Sequence, residues 1–261
     1  DIFHKNGSLV LIKKGKNMAY RDDEDLEFIS KMESKDLDDL VYILTHDKDG
    51  SARLTEELTL NENYKLYYPN HIKYWQEISA EVQCFGANTF ATMFRGGKGV
   101  LYKEILIEVS EKLKVNFNKN SSVEQIETNL LMKILTDAIE KMSPEEIKEL
   151  ALATGVTNIN LPTKEVMVGV FQAVFRAGGF KSYQLTLIIV NAVLKALIGR
   201  GLSLAGNATL VRSMAILTGP IGWVITGLLT AIDIAGAAYR VTIPAVINIA
   251  ALRQKQLYEK T

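Results

Sequence analysis

Apolar residues recur at three- and four-residue spacings along most of the chain, with polar residues between them. Ile72, Trp75, Ile78 and Val82 are a clear example. This spacing places apolar side chains on one side of an α-helix, where they pack against a core. Beyond residue 18 the sequence has neither the alternation of a half-buried strand nor a fixed-period repeat. The pattern predicts an all-α fold, built as a multi-helix bundle.

Several helix boundaries are marked by residues that satisfy the free backbone groups of a helix end. A serine or threonine side chain caps a helix start, and a glutamate or glutamine three positions later completes the capping box. Glycine commonly ends a helix because it tolerates the left-handed conformation. Predicted starts are Ser122 with Gln125, Ser143 with Pro144 and Glu146, and Thr163; predicted stops are Gly178-Gly179 and Gly199-Arg200-Gly201.

The long apolar runs concentrate in residues 183–252. They predict helical stretches at 183–198, 202–217 and 220–243, followed by an amphipathic tail. Pro220 is well placed to begin the third stretch, and Pro244 is expected to kink or end it, because proline lacks the backbone N–H that a helix interior needs. The sequence therefore predicts a hydrophobic C-terminal helical hairpin or module.

Ser213–Ile232 is a run of 20 residues without an ionisable group. A helix needs roughly 20 apolar residues to cross a bilayer. The same length also suits a helix buried in a large core. Composition alone leaves both interpretations open.

Charge is distributed unevenly although the formal net charge is zero. From residue 183 onward there are seven basic residues and two acidic ones, so this part carries +5 and residues 1–182 carry −5. Zero net charge argues against general attraction to nucleic acid. Basic flanks on apolar helices suit anionic lipid surfaces, and a core module with few acids would give the same count.

These shifts in composition predict a division into residues 18–155, an acidic helical domain, and residues 156–261, an apolar helical module. Residues 1–17 lack the apolar core and cleavage site of a signal peptide and are interpreted as an N-terminal extension that need not be native. Cys84 is the single cysteine, which excludes an intrachain disulfide and fits a reducing cytoplasm. The expected location is the cytoplasm, or the inner face of the cytoplasmic membrane.

Three phrases carry a resemblance to a known family: RGGKGVLY at residues 95–102, AGGFKSYQL at 177–185 and GPIGW at 219–223. With them, the chain from residue 18 onward resembles the YaaW-like family of uncharacterised bacterial proteins. Members are sometimes labelled as related to ubiquinol–cytochrome c chaperones. The resemblance implies an assembly-factor role, and it supplies no active site to transfer.

Two loops partly match ligand-binding motifs. Asp47, Asp49 and Glu56 fall at calcium-loop positions, but the first position is a threonine, so a tight turn is the favoured interpretation. Gly97, Lys98 and Gly99 form a glycine-rich segment before a predicted helix, which is a candidate anion site. It lacks the earlier glycine and the Ser/Thr of a phosphate-binding P-loop, and a plain connector is the alternative.

The candidate membrane or partner surface lies in the last third of the chain. Gly227 and Ala231 are small residues one turn apart, a spacing that lets helix backbones approach closely. Trp223 is a candidate interfacial aromatic residue. Asp233 stands in an apolar surround and is expected to pair with Arg240 or Arg212, because an unpaired buried carboxylate is costly. Alternatively, its charge keeps the hairpin from inserting until it is protonated.

No motif indicates catalysis, a metal or a cofactor, so no enzymatic activity is inferred. The leading hypothesis is a membrane-associated or membrane-inserting helical protein that meets anionic lipid. The alternative is a soluble assembly factor that binds an unidentified protein through apolar helices. Homo-oligomerisation is compatible with both, and nucleic acid is not an expected partner.

Overall fold

The computed structural model describes residues 4–5, 8–9, 20–53, 57–89, 99–153, 163–203, 208–232 and 238–259. Its helices are α1 (Asp38–Thr45), α2 (Glu62–Tyr67), α3 (Trp75–Thr89), α4 (Tyr102–Lys112), α5 (Val123–Lys141), α6 (Pro144–Ala153), α7 (Lys164–Ala177), α8 (Gly179–Ile198), α9 (Ala208–Ile232) and α10 (Tyr239–Glu259). Short 3₁₀ helices lie at Glu27–Lys31, Ser34–Leu37, Leu58–Leu60 and His71–Tyr74. A two-residue strand pair, His4–Lys5 with Ser8–Leu9, precedes them. The predicted all-α, multi-helix fold is confirmed.

The core is one continuous cluster of buried apolar side chains that includes residues of both halves of the chain. Helix α8 packs chiefly against α9 and α10, and α5 contacts α4, α7, α9 and α10. Helix α10 also contacts α1, α3 and α4. Residues Val241–Arg253 of α10 are all buried, so the tail expected to be amphipathic is instead a central helix. The predicted boundary between residues 155 and 156 falls outside the described residues and stays a prediction.

The predicted helix starts are confirmed by their hydrogen bonds. Ser122 Oγ accepts from the backbone N–H of Gln125 at 3.3 Å. Ser143 and Glu146 form a reciprocal capping box, with 3.2 Å and 2.7 Å bonds. Thr163 Oγ1 accepts from the N–H of Val166 at 3.3 Å, and Gly199 ends α8 in the left-handed conformation. These helix ends could be predicted from the sequence because the residues that determine each of them lie within one turn of the chain.

Pro220 does not begin a helix as predicted, and Pro244 does not end one; the alternative that Pro244 kinks its helix stays a prediction. Pro220 lies inside α9, which runs unbroken from residue 208 to 232, and Pro244 lies inside α10. Each proline lacks the N–H that would donate to the carbonyl four residues earlier, at Ile216 and Arg240. Packing of the buried Pro220 and Pro244 then offsets the lost helical bonds.

Candidate interaction surface

Helix α9 has one buried side and one side that faces solvent. The buried side chains are Met214, Leu217, Ile221, Val224 and Ile225, and α9 packs against α8, α5 and α6. The solvent-facing side, which we call the outer face of α9, consists of Ala215, Ile216, Thr218, Gly219, Gly222, Trp223, Thr226 and Gly227. It contains no charged residue.

Trp223 is the most prominent residue of the outer face, with 64% of its surface exposed. Gly219 and Gly227 lie one helical turn to either side of it. A Cβ atom added at either glycine would meet nothing within 4 Å, whereas at Gly222 it would lie 3.9 Å from the Cβ of Ala196 on α8. The outer face therefore presents a large aromatic side chain between two open positions.

The sequence-predicted residues of this surface have different outcomes. Trp223 and Gly227 lie on the outer face, and Arg240 is exposed in the first turn of α10. Ala231 belongs to α9, but its side-chain surroundings, like those of Arg212, are outside the described part of the chain. Asp233 is also outside it, so its predicted ion pair stays a prediction.

One described helix, α8, is long and apolar enough to cross a membrane. About two thirds of its residues are buried inside the protein. A helix buried in a protein core can have the same length and composition, so these two properties of α8 do not distinguish membrane insertion from core packing. Helix α9 contains a shorter apolar stretch, Met214–Gly227.

Acidic residues of the front half pair with several of the basic residues that follow residue 182. Asp39 Oδ1 accepts from Arg200 Nη2 at 2.6 Å, and Asp39 Oδ2 accepts from the backbone N–H and hydroxyl of Ser203 at 3.2 and 3.0 Å. The Arg200 guanidinium lies 3.9 Å above the Tyr42 ring. We call Asp39, Arg200 and Ser203 the Asp39 cluster. Its hydrogen bonds join α1 to the start of the connection between α8 and α9.

A second pairing of the same kind fixes the end of α10. Lys255 Nζ donates to both carboxylate oxygens of Asp36 at 2.6 Å, and it also lies 3.5 Å from Glu259. The Asp36 side chain is nearly buried. The basic excess of the C-terminal part is thus partly neutralised inside the molecule.

A buried ion pair joins α5 to α10. Arg253 Nε lies 3.0 and 3.2 Å from the two carboxylate oxygens of Glu127, and Tyr102 donates to the same carboxylate at 2.7 Å. Burial raises the pKa of Glu127 to about 7, although Arg253 and Tyr102 oppose the shift. Arg253 Nη2 also donates to the carbonyl of Asp25 at 2.6 Å, and its guanidinium lies 4.4 Å from the Phe28 ring. This network is enclosed by the core and serves packing.

Asp23 links the N-terminal part of the described core to α3 and α4 through hydrogen bonds. Its carboxylate accepts from the backbone N–H of Tyr102 at 2.7 Å and from Gln83 at 3.3 Å. Gly99 packs so closely that an added Cβ would lie 2.7 Å from Gln83 Cβ. Sequence reasoning missed these partners, because they lie 60 and 79 residues from Asp23 and no local pattern connects them.

The two loop candidates show no ligand-binding arrangement within the described residues. Asp47 pairs with Arg53 at 2.5 Å, and Asp49 accepts from the N–H of Ser51 at 3.0 Å, which is a turn contact. Glu56 lies outside the described ranges, as do Gly97 and Lys98, while Gly99 is buried. Across the described ranges, no group of three His, Cys, Asp or Glu side chains is arranged to hold a metal ion.

Comparison with known proteins places this architecture in a family. A family model described as Ubiquinol-cytochrome C chaperone matches residues 70–247, and one described as Domain of unknown function (DUF3944) matches residues 20–54. A UPF0174 protein of Helicobacter pylori is 50% identical over 238 residues, covering 91% of this chain and 94% of the relative. The UPF0174 protein YaaW of Escherichia coli is 34% identical over 244 residues, covering 91% and 97%. No solved structure matches the chain. The predicted resemblance is confirmed: the chain belongs to the YaaW-like UPF0174 family, within the group that the ubiquinol-cytochrome C chaperone model describes.

Proposed function

We propose that this protein is a chaperone-like assembly factor that binds an apolar helical segment of a client protein on the outer face of α9. The family description supports an assembly role and a protein partner. The observation that carries the proposal is a solvent-facing helix side with no charge and an exposed Trp223. No reaction is assigned to the protein.

The outer face suits a helix as its ligand. It runs from Ala215 to Gly227, which is 13 residues and a rise of about 18 Å along the helix axis at 1.5 Å per step. Open space above Gly219 and Gly227 allows a second helix backbone to approach closely. Trp223 supplies the large, rigid contact typical of residues that dominate binding energy. A charge on the client over these three turns would lose its water without gaining a partner, so the client segment is expected to be uncharged there.

Membrane association is a second candidate, favoured by the length and hydropathy of α8 and by the same uncharged face. In this alternative the outer face contacts lipid, at the inner face of the cytoplasmic membrane. The first candidate places the protein in the cytoplasm with a polypeptide partner. A second copy of this chain, bound through its own outer face, is a third candidate occupant, and the same measurements detect it.

Fluorescence of Trp223 separates these candidates. The chain has two tryptophans, so Trp75→Phe leaves Trp223 as the single reporter. We expect its emission to shift to the blue when a Leu/Ala helical peptide with lysines only at its ends is added. A peptide with a central Lys-Glu pair should have little effect, and so should vesicles of phosphatidylcholine or phosphatidylglycerol.

Variants that fill the outer face test the location. Gly219→Leu and Gly227→Leu should each weaken peptide binding about tenfold or more, because they block close approach. Gly169→Leu is the matched control, since Gly169 is also an exposed helical glycine with nothing within 4 Å, but on α7. A blue shift with vesicles and none with the peptide would replace the proposal with the membrane alternative. A shift that grows with protein concentration alone would indicate self-association.

A further inference from the structure

His71 is a buried histidine whose two ring nitrogens both have hydrogen-bond partners. Its Nε2 lies 2.9 Å from Oδ1 of Asp38, the first residue of α1, and its Nδ1 is hydrogen-bonded to the hydroxyl of Tyr74. A carboxylate only accepts, so Nε2 carries the ring hydrogen, and Nδ1 of the neutral ring accepts from Tyr74. The site therefore suits a neutral imidazole.

A second proton on His71 would disrupt this arrangement. A protonated Nδ1 can no longer accept from Tyr74, which is buried. Among the described residues, His71 is the hydrogen-bond partner of the Tyr74 hydroxyl, so the hydroxyl hydrogen would be buried without an acceptor, which is costly. The charged ring can avoid this cost by moving towards solvent, because the side chain of its partner Asp38 is 46% exposed.

Burial and charge shift the pKa of His71 in opposite directions. Burial lowers it and Asp38 raises it, and the pKa is lowered overall from the ordinary histidine value of 6.5. The rings of Tyr68 and Tyr74 are the other titratable groups in contact with His71. Within the described residues, the remaining elements that contact the 3₁₀ helix His71–Tyr74 contribute no charge to this pKa. The stabilisation from neutral His71 is therefore complete above about pH 6.5 and is lost as the pH falls.

The same residue joins a surface segment to the 3₁₀ helix that precedes α1. The backbone N–H of His71 donates to Ser34 Oγ at 2.5 Å, and Ser34 Oγ donates to the carbonyl of Pro69 at 3.1 Å. We call residues 61–74 the α2 segment. Every residue of α2 is at least partly exposed, and α2 contacts chiefly the 3₁₀ helices on either side of it. The α2 segment is therefore held largely through His71 and its neighbours.

We propose that His71 is an acid-sensitive contact that keeps the α2 segment closed against α1 and opens it when His71 binds a second proton. Protonation at Nδ1 breaks the bond to Tyr74, and the charged ring moves towards solvent beside Asp38. Opening adds the buried ring of Tyr74 to a surface that already exposes Leu66 and Tyr68. The inference concerns the front half of the molecule and does not depend on client binding at the outer face of α9.

Hydrogen exchange followed by mass spectrometry at pH 8 and pH 5, corrected for the intrinsic pH dependence of exchange, tests this opening. Amides of the α2 segment should open about tenfold more often at pH 5. The limit is roughly 30-fold, because a solvent-exposed histidine has a pKa about 1.5 units above pH 5. Amides of α5 should show no such gain, since the raised pKa of Glu127 makes the core more stable as the pH falls.

Replacement of the histidine isolates its contribution. His71→Gln removes the titrating group, so it should abolish the pH dependence of opening in the α2 segment, whatever its effect on stability at pH 8. His46→Gln is the matched control. The His46 ring is hydrogen-bonded to Thr45 and stacked on Tyr42, within and beside α1, so this variant should keep the pH dependence of the α2 segment.

Two further variants should move the midpoint of opening in opposite directions. Tyr74→Phe removes the donor that favours the neutral ring, so opening should begin at a higher pH. Asp38→Asn removes the charge that favours the protonated ring, so opening should begin at a lower pH.

Three results would overturn the inference. Opening of the α2 segment could be independent of pH, its pH dependence could persist in His71→Gln, or exchange in α5 could rise equally at pH 5. If His71→Gln does not fold, the midpoints of Tyr74→Phe and Asp38→Asn decide, and shifts that are absent or of the same sign would contradict the role of His71.

Discussion

The front half of the molecule and the outer face of α9 differ in how their charged and uncharged side chains are placed. In the front half, acidic residues that looked available to partners are bonded internally: Asp36 to Lys255, Asp39 to Arg200, and Glu127 to Arg253. The outer face of α9 has no charged residue, and its Trp223 is exposed. Charge asymmetry in a sequence can therefore reflect internal pairing, while the surface free to bind lies where charge is missing.

The largest effect is expected from removing the buried cation Arg253. Arg253→Met should destabilise the protein by about 3–5 kcal/mol at pH 8, because it leaves the ionised Glu127 buried without its partner. Urea unfolding followed by circular dichroism measures this loss. Arg240→Met is the control, since Arg240 is exposed and should change stability by less than about 0.5 kcal/mol. Equal losses for both variants would contradict the burial argument.

Glu127 should also make stability depend on pH. Its folded-state pKa of about 7 lies above the ordinary glutamate pKa of 4.5, so the folded protein binds the proton more tightly than the unfolded chain. Its contribution is complete below about pH 4.5 and is lost as pH rises towards 7, on the order of 3 kcal/mol. Tyr102, Arg253 and Glu124 are the groups that face it. Glu127→Gln should remove this component from urea unfolding measured between pH 5 and 8; an unchanged pH profile would show that Glu127 does not titrate there.

A smaller loss is expected where the two halves touch at Gly199. Its φ of +79° and the Lys48 carbonyl close to its Cβ position both disfavour a side chain. Gly199→Ala should cost about 2 kcal/mol or more of unfolding free energy. Gly178→Ala has a positive φ without the close contact and should cost less. If the two variants lose the same stability, the contact with Lys48 is not a constraint.

The smallest effect should have the opposite sign. Gly219→Ala on the outer face meets no atom within 4 Å and gains helix propensity, so it should stabilise the protein by about 0.5–1 kcal/mol. Thermal or urea unfolding would detect the gain. Destabilisation instead would mean that the space above Gly219 is already occupied, for instance in a dimer, and sedimentation would then show the larger species.

Sequence reasoning succeeded where the determining interactions are local. The caps at Ser122, Ser143 and Thr163 each involve residues three positions apart, and the helical class follows from apolar spacing. It failed at Pro220, because burial by neighbouring helices outweighed a local preference that the sequence does show. It could not find the pairs of Arg253 and Lys255, which lie 126 and 219 residues from their partners. Trp223 and Gly227 are exposed, and their assignment to a membrane or partner surface, which was made from an uncharged run, stays a prediction.

The ion pairs between the two halves have a practical consequence for dissecting this protein. The stretch that matches the chaperone family, residues 70–247, stops inside α10 before Arg253 and Lys255 and starts after Asp25, Asp36 and Asp39. A fragment cut at those limits would lack Arg253, the partner of Glu127, and Asp39, the partner of Arg200. The stretch that the chaperone family model matches is thus shorter than the unit that forms these ion pairs, and expression trials should begin near Tyr20 and extend to Glu259.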